Sequence, residues 1–139
     1  MTRVVEAIIK HPRQERYFLI KPTRDFGEYT GHYYPPGGHL EPGESSTEAL
    51  IREIAEELSW EVKPIRQMAE TPGDVEGQLT EWWECEVVGG ELKVDRLEIA
   101  DFGFFSKEDR ERLPLWPATI AFFRDYIDTP NIKGERATS

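Results

Sequence analysis

Glu53, Glu56 and Glu57 lie at positions i, i+3 and i+4 of the stretch STEALIREIAEEL. A helix turns by about 100° per residue, so this spacing gathers the three carboxylates on one side. No lysine accompanies them, and like charges so placed cost roughly 0.2–0.5 kcal/mol per pair. They also crowd the end of the helix where the macrodipole favours cations by about 0.3–1 kcal/mol. Two local rules broken in one place point to a functional cause, and a bound cation would relieve both penalties. With no His or Cys beside them, these oxygen ligands suit hard Mg²⁺, with Mn²⁺ as a substitute, better than zinc. The competing reading is a solvated acidic face carrying a Glu48–Arg52 pair at i, i+4.

The element that must position the acids is a helix over Thr47 to Leu58, with Leu50, Ile51, Ile54, Ala55 and Leu58 on the apolar arc and the acids roughly opposite. Gly37, Gly38 and Gly43, with Pro35, Pro36 and Pro42, form a tight loop before it, and Ser46 suits the N-cap. Gly38 to Ser45, GHLEPGES, nearly fits the phosphate-cradling pattern G-x-x-x-x-G-K-[ST]. Glu44 stands at the lysine position, where a carboxylate repels phosphate, so phosphate here must be met through metal.

Gly38, Glu44, Arg52, Glu53, Ile54, Glu56, Glu57 and Trp60 occupy eight of the nine specified positions of G-x5-E-x7-R-E-U-x-E-E-x-G-U, with U a bulky apolar residue. This stretch resembles the Nudix box of the Nudix (MutT-like) hydrolases. The departure is Ser59 in place of the box glycine, at an expected left-handed position where another residue costs of order 1 kcal/mol. The resemblance implies an α/β (α+β) fold, a mixed β-sheet between helices with a loop-helix-loop box. It also implies metal-dependent hydrolysis of a nucleoside diphosphate linked to another moiety, such as a nucleoside triphosphate, ADP-ribose or a dinucleoside polyphosphate. Glu53 and Glu57 would be the main metal ligands, and Glu56 a further ligand or the general base. The Gly38 carbonyl would complete the coordination, while Arg52 and Glu44 would brace the loop on the helix. A glutamate on a later loop often joins the site in this family, which singles out Glu98, with Asp95 or Asp101 as substitutes. The alternative is a catalytically silent module that binds a nucleotide or a partner.

At 139 residues the chain suits one domain, taken as 1–128, with 129–139 as a tail. A net charge of −10 disfavours a nucleic-acid duplex or an anionic membrane, leaving small nucleotides. No apolar run reaches a transmembrane length and the start lacks a signal-peptide pattern, so the cytoplasm is the default. The single cysteine, Cys85, excludes an intrachain disulfide and reads as a strand residue. A homodimer is allowed, but no feature supports one.

Val4 to Ile9 and Arg16 to Ile20 read as strands joined in a hairpin around Pro12. The loop from Lys21 to His32 offers Arg24, Phe26 and Tyr29 to a nucleoside and its phosphates, and Tyr33 and Tyr34 follow as a short strand. Beyond the box come a strand from Glu61 to Met68, with Pro64 at an edge or bulge, and a turn over Thr71 to Gly77. A strand from Leu79 to Val88 should bury Trp83, Cys85 and Val87, and a short strand over Glu91 to Val94 follows. Another strand is expected within Glu98 to Phe105, then a short helix capped by Ser106 and Asp109. The last helix starts at Pro117 and carries Ile120, Phe123 and Ile127 inward. Four tryptophans and Pro72 are not assigned to substrate.

Overall fold

The computed structural model describes residues 2–129, so the expected tail, apart from Thr129, lies outside the described residues. Strand β1 (Thr2–Ile9) is central: it pairs antiparallel with β3 (Gly37–His39) and parallel with β5 (Gln78–Gly90). Strand β4 (Trp60–Pro72) closes the sheet at its other edge, giving the mixed order β3-β1-β5-β4. Its register shifts between Pro64 and Arg66, because proline has no N–H for the ladder and an edge tolerates the loss.

The expected hairpin between the first two strands does not form. Strand β2 (Tyr17–Pro22) is tied to the chain just past β1 by a Lys10–Tyr17 bridge and the His11–Arg16 backbone bond, then leaves to pair with β6 (Ile99–Phe105). Tyr33 and Tyr34 make isolated bridges rather than a strand. The segment 91–95 is loop as well, since its amides serve another purpose: Lys93 and Asp95 donate to the carbonyls of Leu58 and Glu57, satisfying the end of the box helix.

That helix, α1, spans Ser46–Leu58 and is capped by Ser45, one residue earlier than expected, in a reciprocal box with Glu48. Its buried arc is Ala49, Leu50, Ile54 and Leu58; Ile51 is 43% exposed and Ala55 also faces out. The inward face is therefore rotated from the expected one, and Glu53 and Glu57 fall inside it.

Alternation along β1 divides the core in two. Val5, Ala7 and Ile9 join α1, Trp60, Val62 and Cys85 on one face. Ile8 faces the other, with Trp82, Leu115, Phe122 and Phe123. Trp83 and Val87 are only partly buried, whereas Trp82, unassigned from sequence, is fully buried and stacks on Phe122 at 4.4 Å between centroids. Helix α2 (Lys107–Glu111) carries the expected Ser106–Asp109 box. Helix α3 (Pro117–Phe122) begins on its proline and passes into a π-helical turn, Phe123–Ile127. That widened turn puts adjacent Phe122 and Phe123 in the core and leaves Ile120 half exposed, against the expected stripe.

Ser59 ends α1 at φ 61°, the left-handed conformation expected of the box glycine. Ser59→Gly should therefore raise stability by about 0.5–1 kcal/mol, read as a higher denaturant midpoint at unchanged slope. An unchanged or lower midpoint would show that serine sits there without strain.

Candidate active site

The box loop and helix form one wall of a cleft of about 410 Å³ that also takes in β1, the loop after β2 and the approach to α3. Glu53 and Glu57 line it together with Gly38, Arg24, Phe26 and Glu98. Glycine at 38 is a matter of room: a Cβ there would stand 2.5 Å from the Glu53 carboxyl. A Cβ at Gly37 would stand 2.0 Å from the Val5 carbonyl oxygen.

Burial and the two neighbouring carboxylates push the Glu57 pKa well above the ordinary range, against a small opposing effect of the Gly37 amide. Burial raises Glu53 too, although the adjacent Arg52 resists it. Glu57 Oε1 is buried with no donor. Two acids held together with an oxygen left over are a site short of positive charge.

Arg52 organises the surroundings. Its Nε and Nη2 donate to the two oxygens of Glu44 at 2.7 and 2.9 Å, and Nη2 also reaches the His39 carbonyl at 3.1 Å. Its Nη1 donates to Glu53 at 3.1 Å and Glu56 at 3.2 Å. The Glu48–Arg52 pair of the competing reading does not form, because Glu48 is used in the cap. Arg52, helped by the Glu41 amide, holds the Glu44 carboxyl down to about 2, so Glu44 remains an anion throughout the physiological range. Arg52→Ala should leave α1 in place and free Glu53 to turn, weakening divalent-ion affinity by about 10- to 100-fold in calorimetry. Unchanged affinity would reduce Arg52 to a surface ion pair.

The remaining expected residues divide. Glu56 does not line the cleft; its side chain is 61% exposed and rests on Arg52. Helical phase explains this, for Glu56 lies one residue outside the arc that buries Glu53 and Glu57. Glu98 lines the cleft, whereas Asp95 turns to the Leu97 amide and Asp101 accepts from Tyr33. Among the described residues no group of three or more Asp, Glu, His or Cys side chains is gathered as a metal cage. Arg24 lies over the Phe26 ring at 5.1 Å. Tyr29 stands behind them, packed on Trp116 at 4.8 Å, outside the lining. Pro72 ends β4 and is not part of the lining.

Sequence reasoning missed Glu6 and Trp116, both in the lining. The signal for Glu6 was present: a lone acid within the apolar run VVEAII, on the same strand face as Ile8.

The model of the NUDIX domain matches residues 1–126. A curated relative, the NAD-capped RNA hydrolase NudC of Pseudomonas fluorescens, is 36% identical over 99 residues. That alignment takes in 71% of this chain and 35% of the relative, so the chain spans about a third of the length of that protein. Among solved structures, a NUDIX hydrolase from Nitrosomonas europaea superposes with a TM-score of 0.73 at 24% identity, covering 90% of this chain and 87% of that one. The MutT protein of Methanosarcina mazei gives 0.72 at 21%, covering 90% and 91%. These likenesses establish the fold, a mixed sheet between helices, and among the described residues no helix is long and apolar enough to cross a membrane. With the family model matched from the first strand through the last helix and the box intact at its acidic positions, the chain belongs to the Nudix hydrolase family.

Proposed function

We propose that this Nudix hydrolase is a divalent-metal-dependent pyrophosphohydrolase acting on a nucleoside diphosphate linked to another moiety. The observation that carries the reading is the half-buried Glu53–Glu57 pair, with Glu53 pressed against Gly38 and Glu57 left with a donorless oxygen. An all-oxygen set of this kind fits Mg²⁺, or Mn²⁺ in its place. Glu53, Glu57 and the Gly38 carbonyl would hold the ion, which leaves Glu98 in the lining free to act as a base. When bound, the cation neutralises phosphate oxygens and acidifies water.

The chain's own groups supply the rest. Arg24 meets the polyphosphate, and Arg52 keeps Glu53 turned inward. Glu98 takes the proton of the attacking water as a P–O bond of the anhydride breaks and the departing phosphate leaves with its electron pair. Glu56 serves through Arg52, and is not the base in this reading.

The curated relative is named for NAD-capped RNA. A net charge of −10 repels a long phosphate backbone, so small nucleotides and dinucleotides suit this chain better. One observation favours a silent binder instead: Glu56 is tied up on Arg52, outside the cleft. The deciding experiment is a panel of nucleoside triphosphates, ADP-ribose and dinucleoside polyphosphates, with and without Mg²⁺, beside calorimetry of the metal alone. Cleavage that needs Mg²⁺ supports the enzyme. Metal binding without cleavage of any member supports the binder, and absence of both overturns the site.

A further inference from the structure

The end of the cleft around Glu6 and Trp116 is built to hold something other than phosphate. Trp116 is only 8% exposed, and its indole N–H is buried with no acceptor. Tyr34 lies nearly parallel to its ring at 6.0 Å, Phe26 meets it edge-on at 5.1 Å, and Tyr29 backs it. Across the lining, Glu6 occupies a sheet position that alternation turns toward the same side as Ile8 and Trp82, and its Oε1 is buried with no donor. A carboxyl and an indole N–H, each lacking a partner in one cleft, cost free energy that a bound molecule can recover.

Resting on the pyrophosphohydrolase reading, we propose that Glu6 and Trp116 read the nucleobase of the substrate and select bases that carry an exocyclic amine. The amine donates to Glu6, and a ring nitrogen or carbonyl of the same base accepts from the Trp116 indole. The aromatic wall supplies a flat apolar surface for the ring. The preference follows from the alternative. In uracil the ring N–H lies between two carbonyls, so a carboxylate that accepts from it sets its second oxygen against a carbonyl oxygen. Hypoxanthine replaces the adenine amine with a carbonyl, which an ionised Glu6 cannot satisfy because it has no proton to donate. The phosphates then extend toward Arg24 and the Glu53–Glu57 pair, which belong to the same lining.

The test uses nucleoside monophosphates, so that it does not depend on turnover. Calorimetry with the full chain in Mg²⁺ at pH 8.5, where most of the Glu6 carboxyl is ionised, compares AMP with IMP and CMP with UMP, pairs that exchange an amine for a carbonyl. The amine-bearing member of each pair should bind about tenfold or more tightly. Glu6→Leu, which keeps bulk but cannot accept, and Trp116→Phe, which keeps a ring but cannot donate, should bring each pair within about twofold. Equal binding within the wild-type pairs, no binding by any of the four, or a preference that survives Glu6→Leu overturns the assignment. Metal-dependent cleavage without base preference would sink this inference alone. Selective binding without cleavage would sink the hydrolase reading alone.

Discussion

Glu57→Gln is expected to lower Mg²⁺-dependent turnover by roughly 10³-fold while raising the melting temperature of the metal-free protein at pH 7. Both effects come from one cause. Burial and the neighbouring Glu53 disfavour the charged form of Glu57 in the fold, so its native pKa lies above the unfolded value of about 4.3. The sign follows: the native state binds more protons than the unfolded chain between those two values, so stability falls as pH rises through that window. Glu6, pushed up to about 8 by burial and by Asp74, acts in the same direction. Glutamine keeps the shape without the charge and should recover about 2 kcal/mol at neutral pH. Melting temperatures of metal-free wild type should therefore decline from pH 5 to pH 8, with a shallower decline in the variant. Mg²⁺ should stabilise the wild type strongly and the variant little. A variant that loses stability at pH 7, or still gains as much from Mg²⁺, would contradict the claim that these acids are held together for a cation.

The box was legible because its content is spacing, and spacing survives folding. Helix limits, the capping region and the left-handed Ser59 all follow from local rules. The face of α1 did not, since an amphipathic pattern is read by assuming that charge seeks water. Glu53 and Glu57 break that assumption, which turned the expected arc toward Ile51 and Ala55 and placed the acids outside the packed face. The first two strands were misjoined for a different reason: β1 finds its long partner in β5, 76 residues away, and no local signal outranks a nearby turn. Trp82 and Trp83 are neighbours of the same type, so only the sheet's two-sided packing could tell which lies deepest. Glu6 and Trp116 come together through β1 and the approach to α3, a juxtaposition that only the fold creates.

Gly37 and Gly38 offer the sharpest separation of fold from chemistry, since adjacent alanine substitutions should fail in different ways. At Gly37 the new methyl meets the Val5 carbonyl at 2.0 Å and the Glu6 Cα at 2.9 Å. These are backbone atoms of the central strand, which cannot yield without breaking the β1–β3 pairing. Gly37→Ala should cost about 3 kcal/mol or more and be detected as a large drop in denaturant midpoint. At Gly38 the atoms nearest the methyl are the end of the Glu53 side chain, which can rotate away. Gly38→Ala should therefore keep the midpoint within about 1 kcal/mol of wild type while displacing a proposed metal ligand. Its turnover should fall by roughly 10²- to 10³-fold and its Mg²⁺ affinity with it. If Gly38→Ala retained full metal affinity, Glu53 would not be a ligand, and the pair would have to be explained as a buried acid cluster with no ion. If instead both variants unfolded alike, the glycines would serve the sheet alone, and the close approach to Glu53 would be incidental to the chemistry.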